Sequence, residues 1–105
     1  MVNKTEEDIP PFIYEPRKKK EKDIETPVCT RAKENGWEVY KFKCENRVGV
    51  PDRLFIRFGE IMFIEFKRPG EELRPKQEEQ KEILELNGIP VFACDNIELG
   101  YKLVT

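Results

Sequence analysis

Apolar residues first recur along the chain with the period of a helix. Three of them are spaced four positions apart and predict a helix from about residue 20 to residue 35, which Asn35-Gly36 would end: Ile24, Val28 and Ala32. Pro27 leaves two interpretations open. The helix begins at Thr26-Pro27, or a longer helix passes through Pro27 with a kink.

The period then shortens to two, which predicts strands. Residues 37–42 alternate apolar and polar, and two apolar runs at 54–58 and 61–67 flank a tight connection at Gly59-Glu60. A second helix would begin at Pro75 and end at Asn87-Gly88. Residues 90–94 are apolar throughout, which predicts a strand buried on both faces, and residues 97–103 predict a short terminal helix.

The order of these elements predicts the fold. The third strand, the second helix and the fourth strand form a β-α-β unit, whose right-handed crossover makes the two strands parallel. The fold class is therefore α/β, with the order α-β-β-β-α-β and a mixed central sheet flanked by helices. Prolines at 10, 11 and 16 interrupt regular structure, so we expect residues 1–20 to form an irregular N-terminal arm and residues 21–105 to form one domain.

Composition narrows the class of protein. Charged and apolar residues each make up 38% of the 105 residues, which is typical of a globular domain with a heavily charged surface. No apolar run approaches the roughly 20 residues that span a membrane. Three widely spaced cysteines without a Cys-x-x-Cys pair predict reduced thiols and a cytoplasmic protein. The absence of histidine excludes histidine-based catalysis and zinc sites that need imidazole.

Two acids and a lysine form the strongest candidate site. Glu65 and Lys67 lie two apart on a predicted strand and share a face, and the tight turn at Gly59 brings Asp52 opposite them. Close carboxylates repel each other, and Mg²⁺ or Mn²⁺ would relieve this repulsion. Lys67 could then orient or deprotonate an attacking water, or neutralise charge on a phosphate. Taken singly, Glu65 and Lys67 would fit a cross-strand salt bridge, and Asp52 would fit a turn. The combination of the three residues favours a hydrolytic metal site.

Basic residues flank this candidate site in the sequence. Taken singly, each fits a solvated surface charge. As a group they predict a surface that holds phosphates without reading bases, so recognition would depend on the shape of DNA. The group consists of Arg47, Arg53, Arg68, Arg74 and Lys76.

Three motifs together resemble a known family. Gly49–Arg53, Ile64–Lys67 and Leu73–Gln77 are similar to the VRR-NUC branch of the PD-(D/E)XK nuclease superfamily, over about residues 23–95. The resemblance implies a restriction-endonuclease-like core and a divalent-metal nuclease. In related stand-alone proteins of virus or phage type it implies a homodimer that cuts branched DNA such as four-way (Holliday) junctions. A phage-encoded protein of this kind would act in the cytoplasm of a bacterial host.

The same resemblance implies a role for each site residue. Asp52, Glu65 and the backbone carbonyl of Phe66 would be metal ligands, and Lys67 would be the catalytic lysine. Gln77 would support the site. Glu25 matches the acidic residue of the first helix, but Thr26-Pro27 follows it where the family has a continuous helix, so Glu21 is the alternative.

Three functions are compatible with the sequence. The first is a structure-selective endonuclease acting on branched DNA, with Mg²⁺ or Mn²⁺ as the cofactor. The second is a nickase or restriction-like nuclease acting on duplex DNA. The third is a nucleic-acid-binding protein that keeps the fold without the reaction, and the joint presence of Asp52, Glu65 and Lys67 argues against it.

Overall fold

The computed structural model describes residues 19–105, so most of the predicted N-terminal arm lies outside the described residues. Helix α1 (Glu21–Glu34) runs through Pro27 without ending, which decides between the two interpretations of that proline. Proline cannot donate a helical hydrogen bond. The helix continues because its apolar stripe, Ile24, Val28 and Ala32, is completely buried.

Four strands form one mixed sheet in the spatial order β1-β2-β3-β4. Strand β1 (Glu38–Lys41) pairs antiparallel with β2 (Arg53–Arg57), and β2 pairs antiparallel with β3 (Glu60–Phe66). Strand β4 (Val91–Cys94) pairs parallel with β3. Helix α2 (Pro75–Leu86) makes the crossover between β3 and β4, and helix α3 (Ile97–Leu103) follows β4. The predicted element order and the mixed sheet are confirmed.

The main core lies between one face of the sheet and helices α1 and α3. Alternate residues of β3, namely Met62, Ile64 and Phe66, are buried there together with Phe55 of β2 and Val28 of α1. The other residues of β3, including Phe63 and Glu65, point to the opposite face, because successive side chains of a strand alternate. The candidate carboxylate is therefore kept out of the apolar core.

The prediction that the fourth strand is buried on both faces is wrong. Strand β4 lies at an edge of the sheet, and Phe92 retains 37% of its exposure. Only Val91 and Cys94 of this strand are buried. An apolar run indicates burial, but the place of a strand in the sheet depends on long-range pairing that the run itself does not encode.

None of the helices between residues 19 and 105 is long and apolar enough to cross a membrane. Cys29, Cys44 and Cys94 are all free thiols, as the sequence predicts.

Candidate active site

The register of the central hairpin brings the two predicted carboxylates together. Arg53 pairs with Ile64 across β2 and β3, so the next step of the same register sets Asp52 opposite Glu65. Directly opposed side chains of antiparallel strands lie on the same face of the sheet. The backbone oxygen of Asp52 accepts a hydrogen bond of 2.7 Å from the amide of Phe42, which fixes this residue beside β1. The carboxylates thus lie where β2 begins and β3 ends.

Lys67 follows β3 directly and is almost completely buried. It retains 3% of its exposure, and Glu65 retains 8%. The amide of Lys67 donates a hydrogen bond of 2.8 Å to the carbonyl of Cys94, so β4 holds its backbone. Its Nζ lies 4.0 Å from Oε1 of Glu71, a neighbour that the sequence pattern did not predict. A lysine is seldom buried without a charged neighbour, which agrees with a specific role beside the acids.

The electrostatics of the site favour a cation. Burial and, after it, the charge of Asp52 raise the pKa of Glu65 to about 7, although Lys67 opposes the shift. The pKa of Glu21 is also raised, first by burial and then by Asp52 and Glu25. Negative charge therefore accumulates at this end of the sheet beyond what Lys67 balances.

The donor set fits a hard divalent ion that keeps much of its water. Within residues 19–105, no three histidine, cysteine, aspartate or glutamate side chains form a group that would hold a metal by themselves. Mg²⁺ often binds through only one or two carboxylates and completes its octahedron with waters and substrate oxygens. Asp52 and Glu65 supply two such carboxylates on one face, and a cation between them would relieve the repulsion that raises the pKa of Glu65.

The predicted acid of the first helix has a partner. Oε2 of Glu25 lies 2.6 Å from Nε of Arg53, and the two side chains retain 12% and 25% of their exposure. The sequence pattern did not predict this ion pair, because 28 residues separate its partners. Among the five predicted DNA-contacting residues, Arg53 therefore differs from Arg47, Arg68, Arg74 and Lys76, which are all exposed.

Two of the three motifs meet at the start of α2. A Cβ atom on Gly49, whose φ is +88°, would lie 2.5 Å from the backbone carbonyl group of Lys76, so only glycine allows this close approach. The side chain of Gln77 accepts a hydrogen bond of 2.9 Å from the amide of Arg74 and caps the helix. The predicted supporting glutamine thus has a capping contact within α2, and the close approach of Gly49 sets the loop before Asp52 against the start of that helix.

The exposed basic residues near this contact share a surface. Arg47 and Lys76 line the same cavity, which lies between the loop before β2 and helix α2. Nζ of Lys76 lies 3.5 Å from Oε2 of Glu79, at the surface of that helix. Such exposed ion pairs contribute little to stability, so a phosphate could replace the glutamate at small cost.

The chain is similar to a phage protein and to a solved structure. No protein-family model matches the sequence. A protein of Acyrthosiphon pisum secondary endosymbiont phage 1, named "Putative nuclease p44", is 36% identical over 82 residues, which are 77% of this chain and 88% of that protein. A solved structure described as "VRR_NUC domain" matches with a TM-score of 0.74 and 29% identity, over 80% of this chain and 92% of that one.

Proposed function

Because the chain belongs to the VRR-NUC family of PD-(D/E)XK nucleases, we propose that it is a divalent-metal-dependent DNA endonuclease acting on branched DNA such as four-way (Holliday) junctions. The observation that carries the proposal is the placement of Asp52 opposite Glu65 on one sheet face, with the buried Lys67 beside them. Two carboxylates and a lysine are the groups that metal-assisted phosphodiester hydrolysis needs.

Each residue of the site has a defined role in this proposal. Asp52, Glu65 and the backbone carbonyl of Phe66 would hold Mg²⁺ or Mn²⁺. When bound, such an ion lowers the pKa of a coordinated water and offsets the charge that develops on the phosphate. Lys67 either orients or deprotonates the attacking water, or, as the ammonium, neutralises charge on the reacting phosphate. A carboxylate of α1, either Glu25 or Glu21, completes the acidic side of the site.

Recognition in this proposal rests on phosphates. The exposed residues Arg47, Arg68, Arg74 and Lys76 contact the DNA backbone, which gives affinity without sequence choice. Arg53 already forms an ion pair with Glu25, so it is less available to contact a phosphate than these four residues. Selectivity for branched DNA follows from the shape of the duplex arms.

Cutting two strands of a junction requires two sites, so we propose a homodimer. A closed, two-fold arrangement is the commonest way to present two identical sites. The enzyme would act in the cytoplasm, and in that of a bacterial host where a phage carries the gene.

The test offers purified protein a panel of duplex, flap, splayed and four-way DNA with Mg²⁺ or Mn²⁺. We expect cleavage of the four-way DNA, and we expect EDTA to abolish it. Asp52→Asn, Glu65→Gln and Lys67→Ala should each lower the cleavage rate by on the order of 10²-fold or more while DNA binding persists. Light scattering on the protein without DNA should give twice the chain mass of 12.5 kDa.

Glu98→Gln is the matched control, because it removes one exposed carboxylate from α3, an element that carries no site residue. This variant should cleave like the wild type. Cleavage that persists in EDTA would refute the metal mechanism. Cleavage of plain duplex alone, by a strict monomer, would instead support the nickase or restriction-like function, and binding without any cleavage would support a non-catalytic protein.

A further inference from the structure

The cavity that Arg47 and Lys76 share is formed by two elements. Its volume of about 400 Å³ lies in the range of roughly 300–1,000 Å³ that is typical of ligand sites. On one side, four residues of α2 have the spacing of a single helix face, at three, four and seven positions from the first. On the other side lie two residues of the loop before β2. The lining consists of Lys76, Glu79, Gln80 and Ile83 of the helix and of Arg47 and Val48 of the loop.

The two sides of this cavity are in direct backbone contact at one end. Gly49, which follows Val48, approaches the carbonyl group of Lys76 so closely that a Cβ atom would lie 2.5 Å from it. The loop therefore lies against the first turn of α2 and keeps its place beside the helix. A cavity that exists before its ligand arrives needs no costly rearrangement on binding.

The cavity lies at the end of the sheet that carries the candidate carboxylates. Arg47 and Val48 belong to the loop that leads directly into Asp52 and β2. Helix α2 begins at Pro75, eight residues after Lys67. Short stretches of chain therefore join both sides of the cavity to the candidate site, and DNA bound at that site would pass beside it.

Gln80 is the unusual residue of the lining, because it is a buried polar side chain without a partner. It retains 8% of its exposure and is the single buried residue of α2. Its amide makes no hydrogen bond with another group of the described chain. Since no unpaired side-chain nitrogen or oxygen of residues 19–105 is sealed from solvent, this amide reaches the open space of the cavity. Burial of an unpaired amide is unfavourable, and a ligand in the cavity would remove that cost.

The charge of the cavity favours an anion. Arg47 forms no ion pair within residues 19–105, so its guanidinium is available. Lys76 has only the exposed contact of 3.5 Å with Glu79, which contributes little to stability. Two cations and one carboxylate leave a net charge of one positive unit, which suits a phosphate group.

The remaining groups of the cavity suit a nucleobase. Val48 and Ile83 supply apolar surface for the face of a base. The amide of Gln80 offers both donor hydrogens and an acceptor oxygen to the edge of a base, and by turning over it can serve any of the four bases. Pockets for unpaired bases combine apolar contact with hydrogen bonds in this way.

We propose that this cavity binds one unpaired nucleotide of the DNA substrate, and that Gln80 contacts the edge of its base. The assignment rests on the proposed function and adds a determinant of substrate choice to it. A base inside a continuous duplex must first leave its stack and its partner, whereas an unpaired base near a branch enters at lower cost. The cavity thus favours branched or interrupted DNA over plain duplex without selecting a sequence.

The experiment measures DNA binding in EDTA, so that no strand is cut. Three fluorescent DNAs share one sequence: a fully paired duplex, the same duplex with one unpaired thymidine, and the same duplex with an abasic residue in place of that thymidine. The abasic DNA keeps the interruption and its flexibility but lacks the base. We expect the wild type to bind the thymidine DNA roughly tenfold more tightly than either of the others in anisotropy titrations.

Gln80→Met removes the amide and keeps the length of the side chain. This variant should fold, because it replaces an unpaired buried polar group by an apolar one. We expect its preference for the thymidine DNA to fall to about threefold, as the loss of a hydrogen bond predicts. The matched control is Glu82→Met, at an exposed position of the same helix outside the lining, which should keep the full preference.

Three results would overturn the proposal. Equal affinities of the wild type for the thymidine and abasic DNAs would show that the protein senses flexibility and not the base. A full preference in Gln80→Met would remove the base from this cavity. Both results leave the proposed nuclease function standing, because all the DNAs still bind. Failure to bind any of the three DNAs would refute the proposed function together with this site.

Thymidine 5′-monophosphate, added as a competitor, distinguishes a nucleotide within DNA from a free one. We expect it to displace the thymidine DNA only far above the dissociation constant of that DNA, because it lacks the phosphate contacts of the flanking nucleotides. Displacement at concentrations similar to that dissociation constant would assign the cavity to free nucleotides and overturn its role in DNA recognition.

Discussion

The buried carboxyl group of Glu65, in the candidate site, lowers the stability of the folded, metal-free protein. It lies at the end of β3 with 8% of its exposure, opposite Asp52. Burial and the neighbouring charge raise its pKa to about 7. Without a cation, the folded protein must either keep a proton on Glu65 or hold two adjacent negative charges out of water. The two carboxylates of the proposed site would thus favour metal binding at the expense of the metal-free state.

The substitution Glu65→Gln should therefore stabilise the metal-free protein. An unfolded chain ionises this group near pH 4.5, whereas the folded chain does so near pH 7. Because the folded state binds the extra proton, the contribution of Glu65 to stability falls as pH rises from about 4.5 to about 7 and stays low above that. At pH 8 in EDTA, the variant should be more stable than the wild type by on the order of 1 kcal/mol.

Urea unfolding at pH 5 and at pH 8 measures this difference. The advantage of the variant should be smaller at pH 5, where the wild-type carboxyl is still protonated in the fold. Adding Mg²⁺ should stabilise the wild type and leave the variant nearly unchanged. A variant that is less stable than the wild type at both pH values would show that Glu65 has a structural role instead.

For single residues, the sequence predicted the contacts between positions that are joined by a short stretch of chain. Glu65 and Lys67 are two positions apart, and the tight turn brings Asp52 opposite Glu65, one step past the pairing of Arg53 with Ile64. The Arg53–Glu25 pair joins residues of different elements, 28 positions apart. Its existence depends on how α1 is placed on the sheet, which no local pattern specifies.

Among the elements, α1 and α3 are held together by unusually close packing. A Cβ atom on Gly100 of α3 would lie 2.3 Å from Cγ2 of Val28 in α1 and 3.3 Å from Sγ of Cys94. Val28 and Cys94 are themselves completely buried. The glycine weakens α3 as an isolated helix, but it allows the two helices to approach.

Gly100→Ala should consequently destabilise the protein, although alanine is the better helix former by about 1 kcal/mol. Overpacking a filled core costs about 1–3 kcal/mol, so after the gain in helix propensity we expect a net loss on the order of 1 kcal/mol. Lys102→Ala, at an exposed position of the same helix, is the control and should change stability little. Thermal unfolding measures the melting temperature of both variants. An unchanged or raised melting temperature for Gly100→Ala would mean that α1 and α3 can separate at no cost.

The elements themselves were predicted well because their signals are local. Apolar periodicity, glycine turns and helix-starting prolines predicted every helix and strand of residues 21–105 to within a few positions. The error at β4 has a different origin. An apolar run such as residues 90–94 is compatible with a central or an edge strand. Strand β4 is an edge strand because it pairs with β3 and with no second strand of the sheet.

Across the whole molecule, one end of the sheet carries the candidate site and the other end carries contacts that join the elements. The carboxylates lie where β2 begins, and the other end of that five-residue strand carries Arg57, about 13 Å away along the strand. There the guanidinium donates hydrogen bonds of 2.9 Å to the carbonyls of Asn35 and Thr105, and it stacks 4.2 Å from the ring centroid of Trp37. One side chain thereby joins β2 to the end of α1, the start of β1 and the residues after α3.

Arg57→Ala should lower stability and leave the proposed metal site intact. The two hydrogen bonds from a charged donor and the stacking contact together predict a loss of about 2 kcal/mol. Arg57→Lys is the informative comparison, because lysine keeps the charge but cannot make both bonds and the planar stack, so it should recover only a small part of this loss. Mn²⁺ affinity, measured well below the melting temperature, should match the wild type in both variants. Weaker Mn²⁺ binding by Arg57→Ala would show instead that the two ends of the sheet are coupled, so that disorder at the hairpin end reaches Asp52 and Glu65.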